Sequence, residues 1–237
     1  VNTVWGRIRI AAGLPKLRDL KTWGAQIDDN VLDSIAKLPS LQILGLDDTR
    51  VTNLDQLKGS KTLKRISLVR SAVDNAGVAA LAELPNLEQV RLRGTVVGDK
   101  GVGALAGLTK IRVLDLSESQ VGDEGMEKLV TLTNLEELNL WKTQVTDVGL
   151  KHLPAFAKLR RLNLDDDSKV TDEAIESIAK LKELEFLHLG DTQVSDKGLA
   201  RLAELKKLKE LIVEFCPNVS SKAVKELKAN LPNLKVK

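Results

Sequence analysis

A leucine-rich unit returns along this chain at a spacing close to 24 residues, and no other feature constrains the fold as tightly. The residues that open successive units are Leu17, Leu41, Leu63, Leu87, Ile111, Leu135, Leu159, Leu184, Leu208 and Leu234. The gaps between them are 24, 22, 24, 24, 24, 24, 25, 24 and 26 residues. A unit this short cannot close a core of its own. It buries its apolar side only by stacking on its neighbours, so a fixed period in this range specifies a solenoid. The 237 residues are therefore read as one elongated domain rather than two globular ones.

One unit shows the logic. Leu138 and Leu140 alternate with Glu137, Asn139 and Trp141, the period-two pattern of a short strand with one buried face. Thr143 follows in the turn and Val145 points inward again. Thr146 and Asp147 offer acceptors to the free N–H groups of a helix start. Leu150, Leu153 and Phe156 then form one apolar helical stripe, and Gly149 lets the helix approach the layer behind it. A strand and a helix in every unit give a parallel sheet. The Thr143 position recurs as Thr49, Ser71, Thr95, Ser119, Thr192 and Cys216, where a small polar group is expected to satisfy buried backbone. The Asp147 position recurs as Asp29, Asp99, Asp123, Asp172 and Asp196, which reads as helix capping rather than a row of catalytic acids.

These units resemble leucine-rich repeats, specifically the bacterial variety with the segment Thr-x-Val-Thr-Asp-x-Gly-Leu. The run Val213-Glu214-Phe215-Cys216-Pro217-Asn218-Val219 is similar to the cysteine-containing repeats of F-box adaptors, and Gly103-Ala104-Leu105-Ala106 to the GALA repeats of bacterial effectors. The resemblance implies an α/β right-handed solenoid, a horseshoe or arc with a parallel sheet on the concave side and helices on the convex side. It implies interaction rather than catalysis.

Departures from the period locate irregular structure. The second unit is two residues short and lacks a Gly-Leu helix start, so a shorter or 3₁₀-like segment is expected near Asp55. The seventh holds an extra residue within Asp165-Asp166-Asp167-Ser168-Lys169. Three carboxylates there invite a calcium reading, but the Asp-x-Asp-x-Asp-Gly spacing and distant Glu of such loops are missing, which favours a solvated acidic turn. The segment Val4–Ile10 alternates as a strand and is read as a cap within residues 1–16. Residues 17–237 form the array: nine full repeats and a partial tenth.

Composition removes several function classes. Aromatic residues make up 3% and hydrophobic residues 43%, so the core is aliphatic. A net charge of +3 from 36 basic and 33 acidic residues argues against a dedicated polyanion or nucleic-acid binder. A lone cysteine makes neither an internal disulfide nor a thiolate cluster. No apolar run approaches the roughly 18 residues of a spanning helix. The start at Val1 fits a processed or trimmed chain, and a removed signal peptide stays open; the compartment is not fixed, with a lean towards a soluble cytoplasmic protein.

Outward positions on the strands fall in three rows. Trp23, Trp141 and Phe186, three of the six aromatics, occupy them although the core does not require them. An exposed Trp beside Arg is the composition of an interaction hot spot. The candidate partner-binding residues are Trp141, Arg161, Asn163, Phe186 and His188, with Trp141 as a mere cover for its neighbours as the competing reading. Arg65, Arg91 and Arg93, with Arg70 on the adjoining turn, make a second, basic patch for an acidic partner or a phosphate. Asp47 and Asp115 flank it, so a plain charge network is the competing reading.

No enzyme is expected. His188 stands near Asp165 and Glu210 without a serine beside it, His152 is expected exposed and alone on the helical side, and Cys216 fills a core turn. No cofactor or metal is implied. The reading is a protein-binding module that uses its concave sheet face, with an unidentified protein partner, no membrane and no nucleic acid. Two alternatives remain: the substrate-recognition arm of a larger adaptor or effector, and polyanion or carbohydrate binding through the arginine patch and Trp141.

Overall fold

The computed structural model describes residues 14–237. Ten parallel strands form one open sheet in chain order: β1 (Asp19–Trp23), β2 (Ile43–Asp47), β3 (Arg65–Ser67), β4 (Gln89–Arg91), β5 (Val113–Asp115), β6 (Glu137–Asn139), β7 (Arg161–Asn163), β8 (Phe186–His188), β9 (Glu210–Ile212) and β10 (Lys235–Val236). The register repeats without slippage: Val90, Leu114, Leu138, Leu162, Leu187 and Leu211 pair in series across β4 to β9. A one-residue slip would turn each of these side chains to solvent, so burial enforces the register. Short helices connect the strands, among them Asp99–Gly103, Asp123–Lys128, Asp147–Leu150, Asp172–Ile178 and Asp196–Arg201. In the shortened second unit the return is a single 3₁₀ turn, Asp55–Leu57. The expected cap strand at Val4–Ile10 lies outside the described residues.

The core is one continuous aliphatic stack. Leu138, Leu140, Val145, Leu150 and Leu153 are all buried, and so is Phe156, the largest fully buried side chain. His152 is half-buried rather than exposed.

The Asp147 column does not cap its own helices, contrary to the expectation from the sequence. Thr146, not Asp147, caps its helix, its Oγ1 accepting from Val148 N at 3.2 Å. The aspartate reaches forward into the next repeat. Asp123 accepts from Thr146 N and Thr146 Oγ1, both at 2.8 Å, and from Gly149 N at 2.9 Å. Asp147 binds Thr171, Asp172 binds Ser195 and Asp196 binds Ser220 by the same pair of bonds. Asn75 and Asp99 make the backbone half of the contact to Gly98 and Gly122. Ala174 and Ala223 stand three residues after Thr171 and Ser220, but where a glycine takes that place it is required sterically: a Cβ on Gly149 would lie 2.6 Å from Asp123 Oδ1, and one on Gly77 would lie 1.9 Å from the Thr52 carbonyl oxygen.

The hydroxyl column behaves as expected in most repeats. Thr49, Ser71, Thr95 and Thr192 are buried and donate to the carbonyl three residues back, at 2.7–2.8 Å. Cys216 takes the same slot, its Sγ 2.9 Å from the Leu189 carbonyl. Thr143 departs from the pattern. It is only half-buried, and both its N–H and its Oγ1 bond Asp167 Oδ1, at 2.8 and 3.2 Å. The acidic turn is also not wholly solvated. Asp167 occupies the hydroxyl slot of its own repeat, is 2% exposed, and leaves Oδ2 buried without a partner. Its burial first of all, with the charges of Asp166 and Asp165, pushes its carboxyl up to about 7. Because Asp167 turns inward, the three aspartates do not converge, and among the described residues no group of three His, Cys, Asp or Glu is placed to hold a metal.

Candidate functional site

Alternation along the strands leaves one sheet face open, with neighbouring strands about 4.8 Å apart. Arg161 on β7 and Phe186 on β8 are register partners, and the guanidinium stacks 4.1 Å from the ring centroid. Phe186 in turn lies 6.4 Å from the His188 ring at 36°. His188 Nδ1 is 3.0 Å from Asn163 Oδ1 and 3.7 Å from Asp165 Oδ2. Asn163 Oδ1 already accepts from Asp165 N–H, so the imidazole donates to it. Asn139 makes the same bond to Trp141 N–H and Asp115 to Ser117 N–H. These middle-row side chains therefore hold the chain as it leaves each strand, a structural task that limits what Asn163 can offer a partner.

Trp141 is half-buried rather than freely exposed, and it lies two residues beyond the end of β6, in the turn. The cation above its ring is Arg93, at 4.7 Å, from two repeats earlier. Arg93 also pairs with Glu118 at 2.8 Å. The aromatic cluster and the arginine patch, distinct in the sequence, are thus joined through the Arg93–Trp141 stack. Arg70 does not contribute to the patch: it forms a two-point ion pair with Asp48, whose carboxyl it holds below the usual range.

Two shallow depressions lie side by side on this face. One, of about 290 Å³, is lined by Arg91, Asp115, Glu137, Asn139, Arg161 and Phe186 among others. The other, of about 420 Å³, includes Lys21, Ile43, Asp47, Arg65, Ser67 and Arg91. Arg91 is the wall between them. With the Gln89 amide oriented to suit its neighbours, its oxygen accepts from Arg91 Nε and Nη2 at 2.8 and 3.0 Å. Sequence reasoning passed over Gln89, Val113 and Glu137; their place in the same outward row as Arg161 and Phe186 was the available signal.

The rims of the face are neutralised. Along the strand starts run Lys64–Glu88 at 3.2 Å, Arg112–Glu136 at 2.7 Å, the Arg160–Glu185 pair and Lys209–Glu185 at 2.7 Å. These partners hold the Glu136 and Glu185 carboxyls below their ordinary value, Arg112 foremost for the first and Lys209 for the second. Along the turns beyond the strands run Asp48–Arg70, Arg93–Glu118 and Lys142–Asp166. Between the rims, no carboxylate of the described residues comes within ion-pair distance of Arg65, Arg91 or Arg161. The arrangement suits contact with a complementary surface.

Comparison with known proteins agrees with this architecture. A family model described as Leucine Rich repeat matches residues 83–106, 107–130, 131–153 and 181–203. No curated protein sequence matches the chain. Among solved structures, internalin C2 from Listeria monocytogenes is 27% identical, with 92% of each chain covered and a TM-score of 0.74. The plant peptide hormone receptor RGFR1 in complex with RGF2 is 16% identical, covering 97% of this chain and 40% of the receptor, with a TM-score of 0.60. The chain is an α/β leucine-rich-repeat solenoid. No helix among its described residues is long and apolar enough to cross a membrane.

Proposed function

We propose that this leucine-rich-repeat solenoid is a binding scaffold that takes a protein partner on its open sheet face, around Trp141, Arg161, Phe186 and His188. The observation that carries the reading is the pair of guanidinium–aromatic stacks, Arg161 on Phe186 and Arg93 on Trp141, beside a depression of about 290 Å³. Stacked rings of this kind are already ordered, so a partner that covers them gives up little further side-chain freedom and gains desolvated aromatic area. The plant receptor of the same fold, solved in complex with RGF2, supports the fold as a peptide-binding platform. The neutralised rims count against a general polyanion site, which would extend its basic stripe across the edges. The same reading keeps residues 17–237 as the array. Within the leucine-rich repeats, Cys216 in a hydroxyl slot supports kinship with the cysteine-containing class, and the Thr-Asp stitching with the bacterial variety.

The test is capture of partners from the native cell by the immobilised chain, repeated with Trp141→Ala and Phe186→Ala. Each substitution is expected to weaken binding by about 2 kcal/mol or more, the usual cost of truncating an aromatic anchor. The melting temperature should move by only a few degrees, since both rings are half-buried on the surface. Undiminished capture by both variants would place the site off this face. Parallel loss of folding and binding would show that the rings are covers for the sheet.

A further inference from the structure

Five of the ten arginines among the described residues meet a carboxylate: Arg70, Arg93, Arg112, Arg160 and Arg201. Arg65 and Arg91, on the adjacent strands β3 and β4, are exposed on the sheet face and do not. Arg91 is oriented by the neutral amide of Gln89, which positions the guanidinium without cancelling its charge. The two carboxylates that border them are already engaged. Asp47 Oδ1 accepts from Ser67 Oγ at 2.6 Å and from Val69 N at 3.1 Å, and Asp115 Oδ1 accepts from Ser117 Oγ at 2.6 Å and from Ser117 N at 3.1 Å. The depression of about 420 Å³ is lined by three cations, Lys21, Arg65 and Arg91, and one carboxylate, Asp47; Lys21 also pairs with Asp19 at 3.3 Å, so the excess positive charge of the hollow rests on Arg65 and Arg91.

We infer that the partner presents an acidic segment, and that its carboxylates enter this hollow and are gripped by Arg65 and Arg91. The inference rests on the sheet-face reading above and names the chemistry of its occupant. A planar guanidinium matches a carboxylate by two parallel hydrogen bonds, which a hydroxyl or an amide cannot reproduce with charge, and Arg91, whose Nε–Nη2 edge is taken by Gln89, keeps its Nη1–Nη2 end for this. The charge also orients the segment. Glu137, exposed beside Arg161 with no cation in ion-pair range, repels carboxylates from the β5–β6 side. The acidic residues therefore lie over β3 and β4, and the apolar part of the segment lies over Phe186 and Trp141. A compact pair of arginines suits a short acidic run better than a long polyanion, which needs a continuous basic track.

A random dodecapeptide library displayed on phage and selected on the full chain tests this without a known partner. The selected pool should be enriched in Asp and Glu. Synthetic peptides from it should bind the Arg65→Glu/Arg91→Glu double variant about tenfold or more weakly than the parent. The Lys100→Glu/Lys151→Glu variant, with the same charge change on the helical side, should bind them as the parent does. Thermal melts establish that both variants are folded. A pool without acidic enrichment, or equal loss in both variants, overturns the inference. If heparin loses affinity for the arginine variant as strongly as the peptides do, the hollow is a general anion site and the peptide assignment falls. Neutral peptides that depend on Trp141 and Phe186 but not on the arginines would overturn the acidic segment while leaving sheet-face binding in place. A pool indifferent to every sheet-face substitution would remove both.

Discussion

Asp167 is the residue whose surroundings conflict most with its chemistry. Its neighbours in the same column donate a hydroxyl proton to a carbonyl, whereas a carboxylate has none to donate, and its Oδ2 is buried without a partner. Protonation supplies the missing donor and removes the buried charge. The folded-state pKa of about 7 lies above the ordinary 3.8, so the native state holds this proton more tightly than the unfolded chain does. This contribution to stability is then full below about pH 4, declines as pH rises towards 7 and is flat above that. Asp167→Asn cannot titrate and keeps an acceptor for Thr143. Thermal melts at acid, neutral and mildly alkaline pH should show the variant more stable than the parent above pH 7, by about 1–3 kcal/mol, with the advantage fading in acid. A constant difference across the range would mean that Asp167 does not titrate there. Leu138 makes the complementary case of a residue in harmony with its site: it is 2% exposed in an aliphatic layer, and Leu138→Ala should cost about 2–5 kcal/mol by chemical denaturation. A change below about 1 kcal/mol would contradict the close packing assigned to it.

Single elements here are too short to be stable alone, since most strands have three residues and many helices four to six. What holds them is stitching between neighbours, and the Thr-Asp segment is its main polar part. Asp123→Ala removes three hydrogen bonds to the following repeat, one of them from the buried Gly149 N–H. A loss of about 2–3 kcal/mol is expected in urea unfolding, because charged acceptors make the stronger bonds and an orphaned buried donor adds its desolvation cost. Asp123→Asn should cost under about 1 kcal/mol, since one amide oxygen still serves both backbone donors. Asn75 does this already for Gly98 and Gly101. Equal loss in the two variants would show that charge, rather than acceptor geometry, supplies the stitching.

At the scale of the whole molecule each repeat contacts only its neighbours, so stability accumulates along the array and is lowest where a neighbour is missing. Native-state hydrogen exchange should therefore find the slowest amides in β5 to β7 and faster exchange towards β10, whose two residues pair with β9 alone. Uniform protection from end to end would indicate one all-or-none unit. The same linear arrangement explains the face. Every outward row is a line of side chains from successive repeats, and ion pairs between residues 22 to 25 apart neutralise its rims while leaving the interior arginines without a carboxylate partner.

The period of about 24 residues, the alternation around each leucine pair and the aliphatic composition were enough to determine the parallel sheet and the inward leucines, because burial in a stacked array allows one register. The Thr-Asp segments were equally visible, but their reading as local caps missed the reach into the next repeat. That reach depends on a separation between neighbouring turns that periodicity does not measure. Which polar side chains meet was likewise decided in three dimensions. Trp141 stacks on Arg93, Asp167 turns into a hydroxyl slot, and Arg65 and Arg91 stay unpaired although aspartates flank them. The sequence by itself determined the architecture, since apolar burial follows pattern. Only the tertiary structure decided the chemistry of the face, since each of those contacts depends on side-chain direction and on the hydrogen bonds already claimed by the turns.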